Sequence, residues 1–440
     1  VMIRFTLRVF YKEFFVLGRE KIPKNGPIIM VANHPNTLMD PLIVASLLKQ
    51  RAGFLGNGSL FRNKWMAALL SYFHVIPVWR KQDIRPGEVM DNQDTFRDSR
   101  IYLGKGGTIL IFPEGTSFSE KNLRELRTGA ARIALSFEEE QKFKGNLRLV
   151  PVSLNYSDPT KFRSRIRIEV GEPIPVSAFQ SDFEKDPAEA VRTLTDSIRD
   201  GIAERLVIVE DKEQEVILNQ ISRLYLDRVS GKKPQTKGKT ALEAELAISK
   251  SIRHVREKAP STFQALQAKL SNWFVQIDQL GLSDGFFRKN FSKGPILGRW
   301  LLEFAFLLLT FPIYLFGLLT SYFPYWLPGW LAPKISDEIE YHAPTMMVIG
   351  MFLFPIWYGL LILAFWLLSP WGGWVLLGFG VLLPLAGIFS LLYVSSYKHW
   401  RAIGKLLGLS RKDAELMERL REQRGSLMAD LESVRKAGVA

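Results

Sequence analysis

The sequence predicts an α/β domain built on a mixed, mostly parallel sheet flanked by helices, followed by a C-terminal α-helical membrane region. Two observations support this fold class. Between about residues 28 and 170, short β-branched runs alternate with stretches of helical spacing, and between about 300 and 395 the apolar residues are densest. Alternating strands and helices are typical of α/β domains, and apolar stretches of about 20 residues are long enough to cross a bilayer.

The α/β domain is expected over residues 19–180. The predicted strands are IIMVA (28–32), AGFLG (52–56), HVIPVW (74–79), TILIF (108–112), LRLVPVSLNY (147–156) and RIRIEV (165–170). The predicted helices are PLIVASLLKQ (41–50), FRNKWMAALLSYF (61–73) and a stretch near 127–138. Functional side chains are therefore expected where the strands end.

Residues 1–18 predict an amphipathic helix that lies in a membrane surface. On a helical wheel the apolar and basic residues occupy different faces, with Ile3, Leu7, Phe10 and Phe14 on one and Arg4, Arg8 and Lys12 on the other. Charges interrupt each apolar run and no small-residue cleavage site follows, so a signal peptide is not predicted. A helix that packs into a protein core with a solvated basic edge would show the same pattern.

Three further regions follow the α/β domain. Residues 181–295 are charged and helical in spacing, with an exposed loop expected near 230–240 because SGKKPQTKGKT is rich in helix breakers. A transmembrane region of two or three segments is expected over 296–395, and a soluble, solvated helical tail over 396–440. The apolar segments of that region are 300–323, 345–368 and 372–394.

Basic residues flank the membrane region on both sides, with Arg288 before it and Lys398 after it. The positive-inside rule then predicts an integral membrane protein with both flanks, and the α/β domain with them, on the cytoplasmic face. Three full crossings cannot satisfy that rule, and Glu303 and Pro312 interrupt the first segment. The pattern favours a re-entrant or interfacial first segment, with the last two as a hairpin, over three crossings.

The charge balance points to an anionic partner. The chain has 58 Lys and Arg against 44 Asp and Glu, a net charge of +14. Alongside membrane segments, this favours a lipid head group or a phosphate substrate over nucleic acid. Cysteine is absent, which excludes disulfides, a thiolate nucleophile and Cys-based metal sites. No metal site is predicted, because no histidine has a ligand partner at a recognisable spacing.

His34 follows the strand-like IIMVAN and stands six residues before Asp40. A neutral imidazole can take a proton from an alcohol when a carboxylate holds its tautomer and supports its positive charge. Without a Ser or Cys nucleophile nearby, such a pair implies direct attack by a substrate hydroxyl. Two structural alternatives stay open, since Asp40 before Pro41 could be a helix N-cap and His34 could be a loop histidine.

Four blocks in order resemble the glycerophospholipid acyltransferase family, which includes glycerol-3-phosphate and lysophosphatidic acid acyltransferases. The blocks are NHPNTLMDP (33–41), IPVWR (76–80), FPEGTS (112–117) and VPVSLNY (150–156). The resemblance covers roughly residues 20–175. It implies that His34 is the general base on the acceptor hydroxyl, that Asp40 orients it, and that Pro151 shapes the floor of the site.

The resemblance also implies an acceptor site, for which we expect Arg80, Glu114, Gly115, Thr116 and Arg127 to bind substrate. The planar fork of Arg80 suits phosphate oxygens. The FPEG run after TILI independently puts a carboxylate and a flexible glycine at a strand's exit, where a backbone can approach a ligand closely. A glutamate there could instead cap a turn.

The chain departs from the family pattern at two points. Most members have four residues between the His and the Asp, whereas this chain has five, Pro35 to Met39. In an ideal helix positions six apart lie about 240° apart on the wheel, so the loop must leave the helical path if the pair is to meet. The longer spacing resembles that of fungal-type glycerol-3-phosphate and dihydroxyacetone-phosphate acyltransferases. Ser117 replaces an arginine of many members, and Lys121, Arg124 or Arg127 would have to replace that phosphate contact.

The expected function is therefore transfer of a fatty acyl group from an acyl thioester to a hydroxyl of glycerol-3-phosphate or dihydroxyacetone phosphate. No cofactor is expected, with acyl-CoA or acyl-carrier-protein as co-substrate and acyl carrier protein as a possible partner. The other expected partners are the lipid bilayer and the glycerol-phosphate acceptor, and no nucleic acid. Two alternatives stay open: a lysophosphatidic acid or other lysolipid acyltransferase, and a catalytically silent lipid-binding membrane scaffold.

Overall fold

The computed structural model of the chain describes residues 2–72, 74–79, 92–226, 234–287, 293–370 and 372–437. The chain divides into two compact units. The first comprises Val1–Ile208 together with Ser336–Pro344, and the second comprises Val209–Ile335 together with Thr345–Ala440.

The first unit is an α/β fold. Its strands are β1 (Glu13–Leu17), β2 (Ile28–Ala32), β3 (Ala52–Asn57), β4 (Val75–Val78), β5 (Thr108–Ile111), β6 (Arg148–Tyr156), β7 (Arg165–Val170) and β8 (Ile174–Pro175). Its helices are α1 (Met2–Phe10), α2 (Met39–Leu47), α3 (Lys64–Tyr72), α4 (Gln93–Gly104), α5 (Gly129–Glu140), α6 (Gln180–Lys185) and α7 (Pro187–Ala203).

The strands form one sheet in the order β1-β7-β6-β2-β5-β3-β4, with β8 paired to β6. Strands β6 and β7, and β6 and β8, are antiparallel, and the other pairs are parallel. The predicted mixed, mostly parallel sheet is confirmed. Strands β2 and β5 are buried throughout, as expected of central parallel strands covered on both faces. Because Val31 pairs with Ile111, the loops that follow these two strands leave the same sheet edge side by side.

The N-terminal helix is shorter than predicted. It ends at Phe10, and residues 13–17 form β1, which pairs with β7. The predicted helix over 1–18 is therefore wrong beyond Phe10, because the run FFVL finds a sheet edge that a local pattern does not reveal. Leu7 is fully buried while Phe5 is exposed, so one side of α1 packs into the unit. Its predicted contact with a membrane surface stays a prediction.

The α/β unit also extends past the predicted boundary at residue 180. Helix α7 buries Ala190, Leu194, Ile198 and Ile202 in the same core as β2 and α5. These buried residues recur every four positions, as on one face of a helix. The Asp186 carboxylate caps the first turn of α7 by accepting from the Ala188 and Glu189 amides. The charged residues of this stretch place it in the predicted charged helical region, but the apolar face of α7 belongs to the first unit.

The second unit is helical in the part of the chain that the structure describes. Its helices are α8 (Lys212–Leu226), α9 (Pro234–Lys258), α10 (Pro260–Gln279), α11 (Lys293–Ile335), α12 (His342–Leu368), α13 (Gly373–Lys412) and α14 (Ala414–Ala437). The loop predicted over 230–240 is wrong from Pro234 onward, where α9 begins, because proline is tolerated in the first turn of a helix. The rest of that predicted loop lies outside the described residues.

The C-terminal helix α14 is not solvated all round, contrary to the prediction for the tail. It buries Leu420 and Leu427. Arg424 forms a buried bidentate ion pair with Asp284, at 2.7 and 3.0 Å, and the Trp273 indole donates to the same carboxylate. A buried carboxylate with three donors is adequately compensated, so this end of the chain has a fixed place in the helical unit.

Three of these helices have the length and apolar composition that crossing a membrane requires: residues 296–335, 339–368 and 373–412. Residues 293–335 form one continuous helix despite Pro312, Pro324, Pro328 and Pro333. The favoured re-entrant or interfacial reading of the first segment stays a prediction, and so does a crossing.

Close packing of α11 against α13 depends on small residues. A Cβ at Gly317 would overlap the Ala386 carbonyl oxygen and the Ser390 hydroxyl. The Ser390 hydroxyl is shared between the Ala386 carbonyl of its own helix at 3.0 Å and the Tyr314 carbonyl at 3.3 Å, and Tyr393 donates to the Leu307 carbonyl at 3.1 Å. Small residues and side-chain hydrogen bonds are the usual means by which apolar helices associate in lipid.

Gly317→Ala is expected to destabilise the helical unit, because the added methyl group meets backbone rather than a movable side chain. Overpacking of this kind costs about 1–3 kcal/mol. The thermal midpoint of the purified full chain in detergent should fall. Gly378→Ala on α13 is the matched control, since nothing lies within 4 Å of its added methyl group. Equal stability of the two variants would contradict the close approach of α11 and α13.

Candidate active site

The loop that carries His34 begins at the carboxyl end of β2 and is tied to the neighbouring strand. The buried Asn33 side chain donates to the Leu154 carbonyl at 3.1 Å and accepts from the Leu154 amide at 2.8 Å. An asparagine that bonds both backbone groups of one residue substitutes for a continued strand ladder. The point at which His34 leaves the sheet is therefore fixed.

His34 and Asp40 meet despite their longer spacing. His34 Nδ1 lies 2.9 Å from Asp40 Oδ2. Helix α2 begins only at Met39, and the Asn36 amide donates to the same Asp40 oxygen at 2.7 Å. The prediction that the intervening loop leaves the helical path is confirmed. Asp40 is also not the N-cap, because it stands inside the first turn and its carboxylate points back toward the loop before the helix.

Asp40 is fully buried and has a third partner, which the sequence did not predict. The Tyr156 hydroxyl donates to Asp40 Oδ1 at 2.5 Å. Tyr156 ends the fourth block, on a strand that continues four residues past Val152, the register partner of Ala32. The parallel pairing of β2 and β6 was the signal that could have identified Tyr156, because it brings the end of β6 beside the His34 loop.

The electrostatics of this cluster follow from burial. Burial raises the pKa of Asp40, and hydrogen bonds from His34, Tyr156 and Asn36 oppose that rise. Burial first, and the charge of Asp40 second, raise the pKa of Tyr156 well above its ordinary 10.0. Tyr156 therefore stays a neutral donor, and the cluster is a charge-assisted relay from tyrosine to carboxylate to imidazole.

The outer face of His34 is available to a substrate. Its ring stacks on Phe112, with centroids 4.2 Å apart and planes 20° apart. The side chain is 15% exposed, and Nε2 has no hydrogen-bond partner among the described residues. Phe112 opens the FPEG block, so the loop after β5 supplies the surface on which the imidazole rests. A histidine held at Nδ1 with Nε2 free is the arrangement of a general base.

Glu114 joins the two loops. One carboxylate oxygen accepts from the His34 amide at 2.8 Å, and the other lies 3.4 Å from the Arg124 amide. Burial raises the pKa of Glu114, and these amide donors lower it. The carboxylate therefore faces protein N–H groups and holds the His34 backbone in place. Direct contact of Glu114 with the acceptor stays a prediction.

The Arg127 side chain packs against the backbone of Gly115 at the edge of the site. Gly115 has a φ of +77°, and a Cβ there would lie 2.7 Å from Arg127 Nε, so the close approach requires glycine. The Arg127 amide donates to the Pro113 carbonyl at 2.8 Å, and its guanidinium is exposed. Thr116 follows in the same loop and is half-buried. The predicted Arg80 lies outside the described residues.

Of the cations proposed to replace the missing arginine at Ser117, Arg124 already has partners of its own. The Arg124 guanidinium lies over the Phe118 ring at 3.2 Å and pairs with Glu120 at 3.3 Å. These contacts occupy Arg124. The described part of the chain contains no group of three His, Asp or Glu side chains that could hold a metal ion.

Comparisons with known proteins find acyltransferases among the proteins similar to this chain. The Acyltransferase family model matches residues 13–155. Glycerol-3-phosphate O-acyltransferase 1 of Saccharomyces cerevisiae is 27% identical over 51% of this chain and 41% of that protein. Glycerol-3-phosphate O-acyltransferase 2 of the same yeast is 32% identical over 31% of this chain and 19% of that protein.

A bacterial relative is shorter. The 1-acyl-sn-glycerol-3-phosphate acyltransferase of Bacillus subtilis is 25% identical over 43% of this chain and 86% of that protein. The chain spans less than half the length of the two yeast proteins. The family match begins at the start of β1, ends one residue before Tyr156, and contains the NHPNTLMDP and FPEGTS blocks. Residues 13–155 of the chain therefore resemble the Acyltransferase family, and that stretch contains the His34 and FPEG loops.

Proposed function

We propose that this chain is a membrane-bound O-acyltransferase that moves a fatty acyl group from a thioester donor to a hydroxyl of glycerol-3-phosphate or dihydroxyacetone phosphate. One observation carries the proposal: a histidine held at Nδ1 by a buried carboxylate, with Nε2 free, at a strand end of an Acyltransferase-family domain. In this proposal His34 is the base and Asp40 its partner.

The chemistry follows from that geometry. His34 Nε2 takes the proton of the acceptor hydroxyl as its oxygen attacks the thioester carbonyl carbon and forms a tetrahedral oxyanion. Asp40 stabilises the imidazolium, and Tyr156 and the Asn36 amide stabilise Asp40. When the oxyanion collapses, the carbon–sulfur bond breaks and the imidazolium returns its proton to the leaving thiolate. The products are an ester and a free thiol, and the histidine is neutral again.

Direct attack by the substrate fits the hydroxyl groups near His34. The Ser119 hydroxyl donates to the Pro35 carbonyl at 3.2 Å, and the Thr37 hydroxyl donates to the Glu340 carbonyl at 3.1 Å. Neither bonds the imidazole, whereas a nucleophilic serine would be hydrogen-bonded to its base. The acceptor's own hydroxyl is then the nucleophile, and no acyl-enzyme is formed.

A phosphate-bearing acceptor is supported by the cations at the site edge. The exposed Arg127 guanidinium sits on the loop that follows β5, and the chain carries a net charge of +14. Arginine suits phosphate because two of its donors match two phosphate oxygens. The names of the two yeast relatives favour glycerol-3-phosphate. Arg80 is proposed as a second phosphate ligand on the resemblance alone.

The long apolar helices support a membrane-bound enzyme that takes its acyl donor and releases its product at a bilayer. We place the acyltransferase domain on the cytoplasmic face, as the basic flanks of the membrane region predict. Acyl-CoA and acyl-carrier-protein are both proposed as donors. A lysophosphatidic acid acceptor is the second candidate, because the Bacillus subtilis relative of that name aligns over most of its own length.

An acceptor panel tests the proposal. Purified protein in vesicles, supplied with acyl-CoA or acyl-carrier-protein, should acylate glycerol-3-phosphate or dihydroxyacetone phosphate faster than lysophosphatidic acid. Arg127→Ala should raise KM for the preferred acceptor about 10–100-fold, since a charged hydrogen bond contributes roughly 1.5–3 kcal/mol.

The matched control is Arg132→Ala, an exposed arginine on α5. An equal rise in KM for both variants would contradict a phosphate contact at Arg127. Faster turnover of lysophosphatidic acid would favour the second candidate. Inactivity on all three acceptors with both donors would contradict the phosphate-acceptor proposal.

A further inference from the structure

A short segment far from the α/β domain in sequence contacts both loops of the active site. Residues 336–344 comprise the link between α11 and α12 and the first residues of α12, and they belong to the first unit, whereas most of both helices belongs to the second. The segment has its own internal bonds: His342 Nε2 lies 3.0 Å from the Ser336 carbonyl, and the Tyr341 amide donates to the Glu338 carbonyl at 3.1 Å. It is therefore a defined turn, with Ala343 fully buried.

Glu340 makes two hydrogen bonds to different loops. Its backbone carbonyl accepts from the Thr37 hydroxyl at 3.1 Å, and its side-chain oxygen Oε1 accepts from the Ser119 amide at 3.0 Å. Thr37 lies midway between His34 and Asp40, and Ser119 lies just past the FPEGTS block. One residue thus bridges the loop that holds the general base and the loop on which its ring rests.

These bonds close a ring of contacts. The two loops already touch where the Phe118 amide donates to the His34 carbonyl at 3.1 Å and the Ser119 hydroxyl donates to the Pro35 carbonyl at 3.2 Å. Glu340 adds a second connection between the same two loops, through Thr37 and Ser119. A carboxylate that accepts from a half-buried amide makes a charge-assisted bond, which is stronger than a neutral one.

We propose that Glu340 is a positioning residue for acyl transfer: it sets the spacing of the His34 loop and the FPEGTS loop without touching the reacting atoms. The inference rests on the proposed function. Small displacements of a catalytic group cost rate rather than binding, because the reacting atoms must align for attack. Loss of the carboxylate frees the Ser119 amide but leaves the carbonyl bond to Thr37 intact.

Three variants separate positioning from a general structural role. Glu340→Ala is expected to lower kcat on the order of 10–100-fold with KM for donor and acceptor within about threefold of wild type. Glu340→Gln keeps an oxygen acceptor and should recover most of that loss. Glu338→Ala removes an exposed carboxylate from the same segment and should match wild type. The shape of the pH–rate profile should not change, because Glu340 transfers no proton.

A second measurement needs no activity. Amide hydrogen exchange at the peptide containing Ser119 should be faster in Glu340→Ala than in wild type or Glu338→Ala. Unchanged exchange, or a loss of kcat that Glu340→Gln does not recover, would overturn the proposal. If exchange is faster in Glu340→Ala while the wild-type chain is inactive on every acceptor, the Glu340 contact stands and the result counts against the proposed function instead.

Discussion

His34→Ala is expected to lower kcat for acyl transfer by about 10²–10⁴-fold, the usual contribution of a positioned general base. The loop backbone should keep its place, because the two hydrogen bonds that anchor this residue to neighbouring loops use its backbone amide and carbonyl, although Asp40 loses its imidazole partner. The ring's stacking on Phe112 is lost, which is a modest packing cost. Steady-state rates of the purified protein with the preferred acceptor measure the effect.

His254→Ala is the control, since His254 is exposed on α9 in the other unit. It should retain wild-type rates. A His34→Ala variant that is folded, as judged by its thermal midpoint, and that keeps its acyl transfer rate would refute the assignment of the base.

Asp40→Asn is expected to separate activity from stability. Asn36 needs an oxygen at the position of Asp40 Oδ2, so the new amide would keep its oxygen there and still accept from His34 Nδ1. The tautomer survives, but the negative charge that supports the imidazolium is gone. A neighbouring opposite charge stabilises a charged group by about 1–3 pKa units, so kcat should fall roughly 10–10³-fold.

The difference in stability between this variant and wild type should depend on pH, and the raised pKa of Asp40 gives the direction. Burial raises the folded-state pKa of Asp40 above its ordinary 3.8, so the folded protein binds this proton more tightly than the unfolded chain. The stability that protonated Asp40 contributes to the wild-type protein is full at pH values below the unfolded-state pKa. It is lost as the pH rises through the folded-state pKa. Asparagine cannot ionise. The thermal midpoint of Asp40→Asn minus that of wild type should therefore grow as pH rises above about 4.

Thermal unfolding across a pH series measures this difference. A difference that shrinks with rising pH would mean that the folded-state pKa of Asp40 lies below its ordinary value.

Asp40→Ala measures the loss of stability when the hydrogen bonds to the Asp40 side chain are removed. It leaves the Tyr156 hydroxyl and the Asn36 amide without their acceptor, and should be less stable than wild type by about 1–3 kcal/mol per unsatisfied group.

Local patterns predicted most of the α/β core. The strands around IIMVA and TILIF lie where β-branched runs placed them, because such runs suit buried parallel strands. The pattern failed at residues 13–17 and at α7. A sheet edge and a core that lie elsewhere in the chain decided the structure of those stretches.

The sequence by itself determined the candidate chemical groups of this protein: a histidine and an aspartate at a strand exit, an FPEG loop at a neighbouring exit, and long apolar segments that follow. Only the tertiary structure decided what holds that chemistry in place. Tyr156 reaches Asp40 across 116 positions, and Glu340 reaches Thr37 across 303. The physical reason is that strand order and a returning segment create these contacts, and no local period of the sequence encodes either.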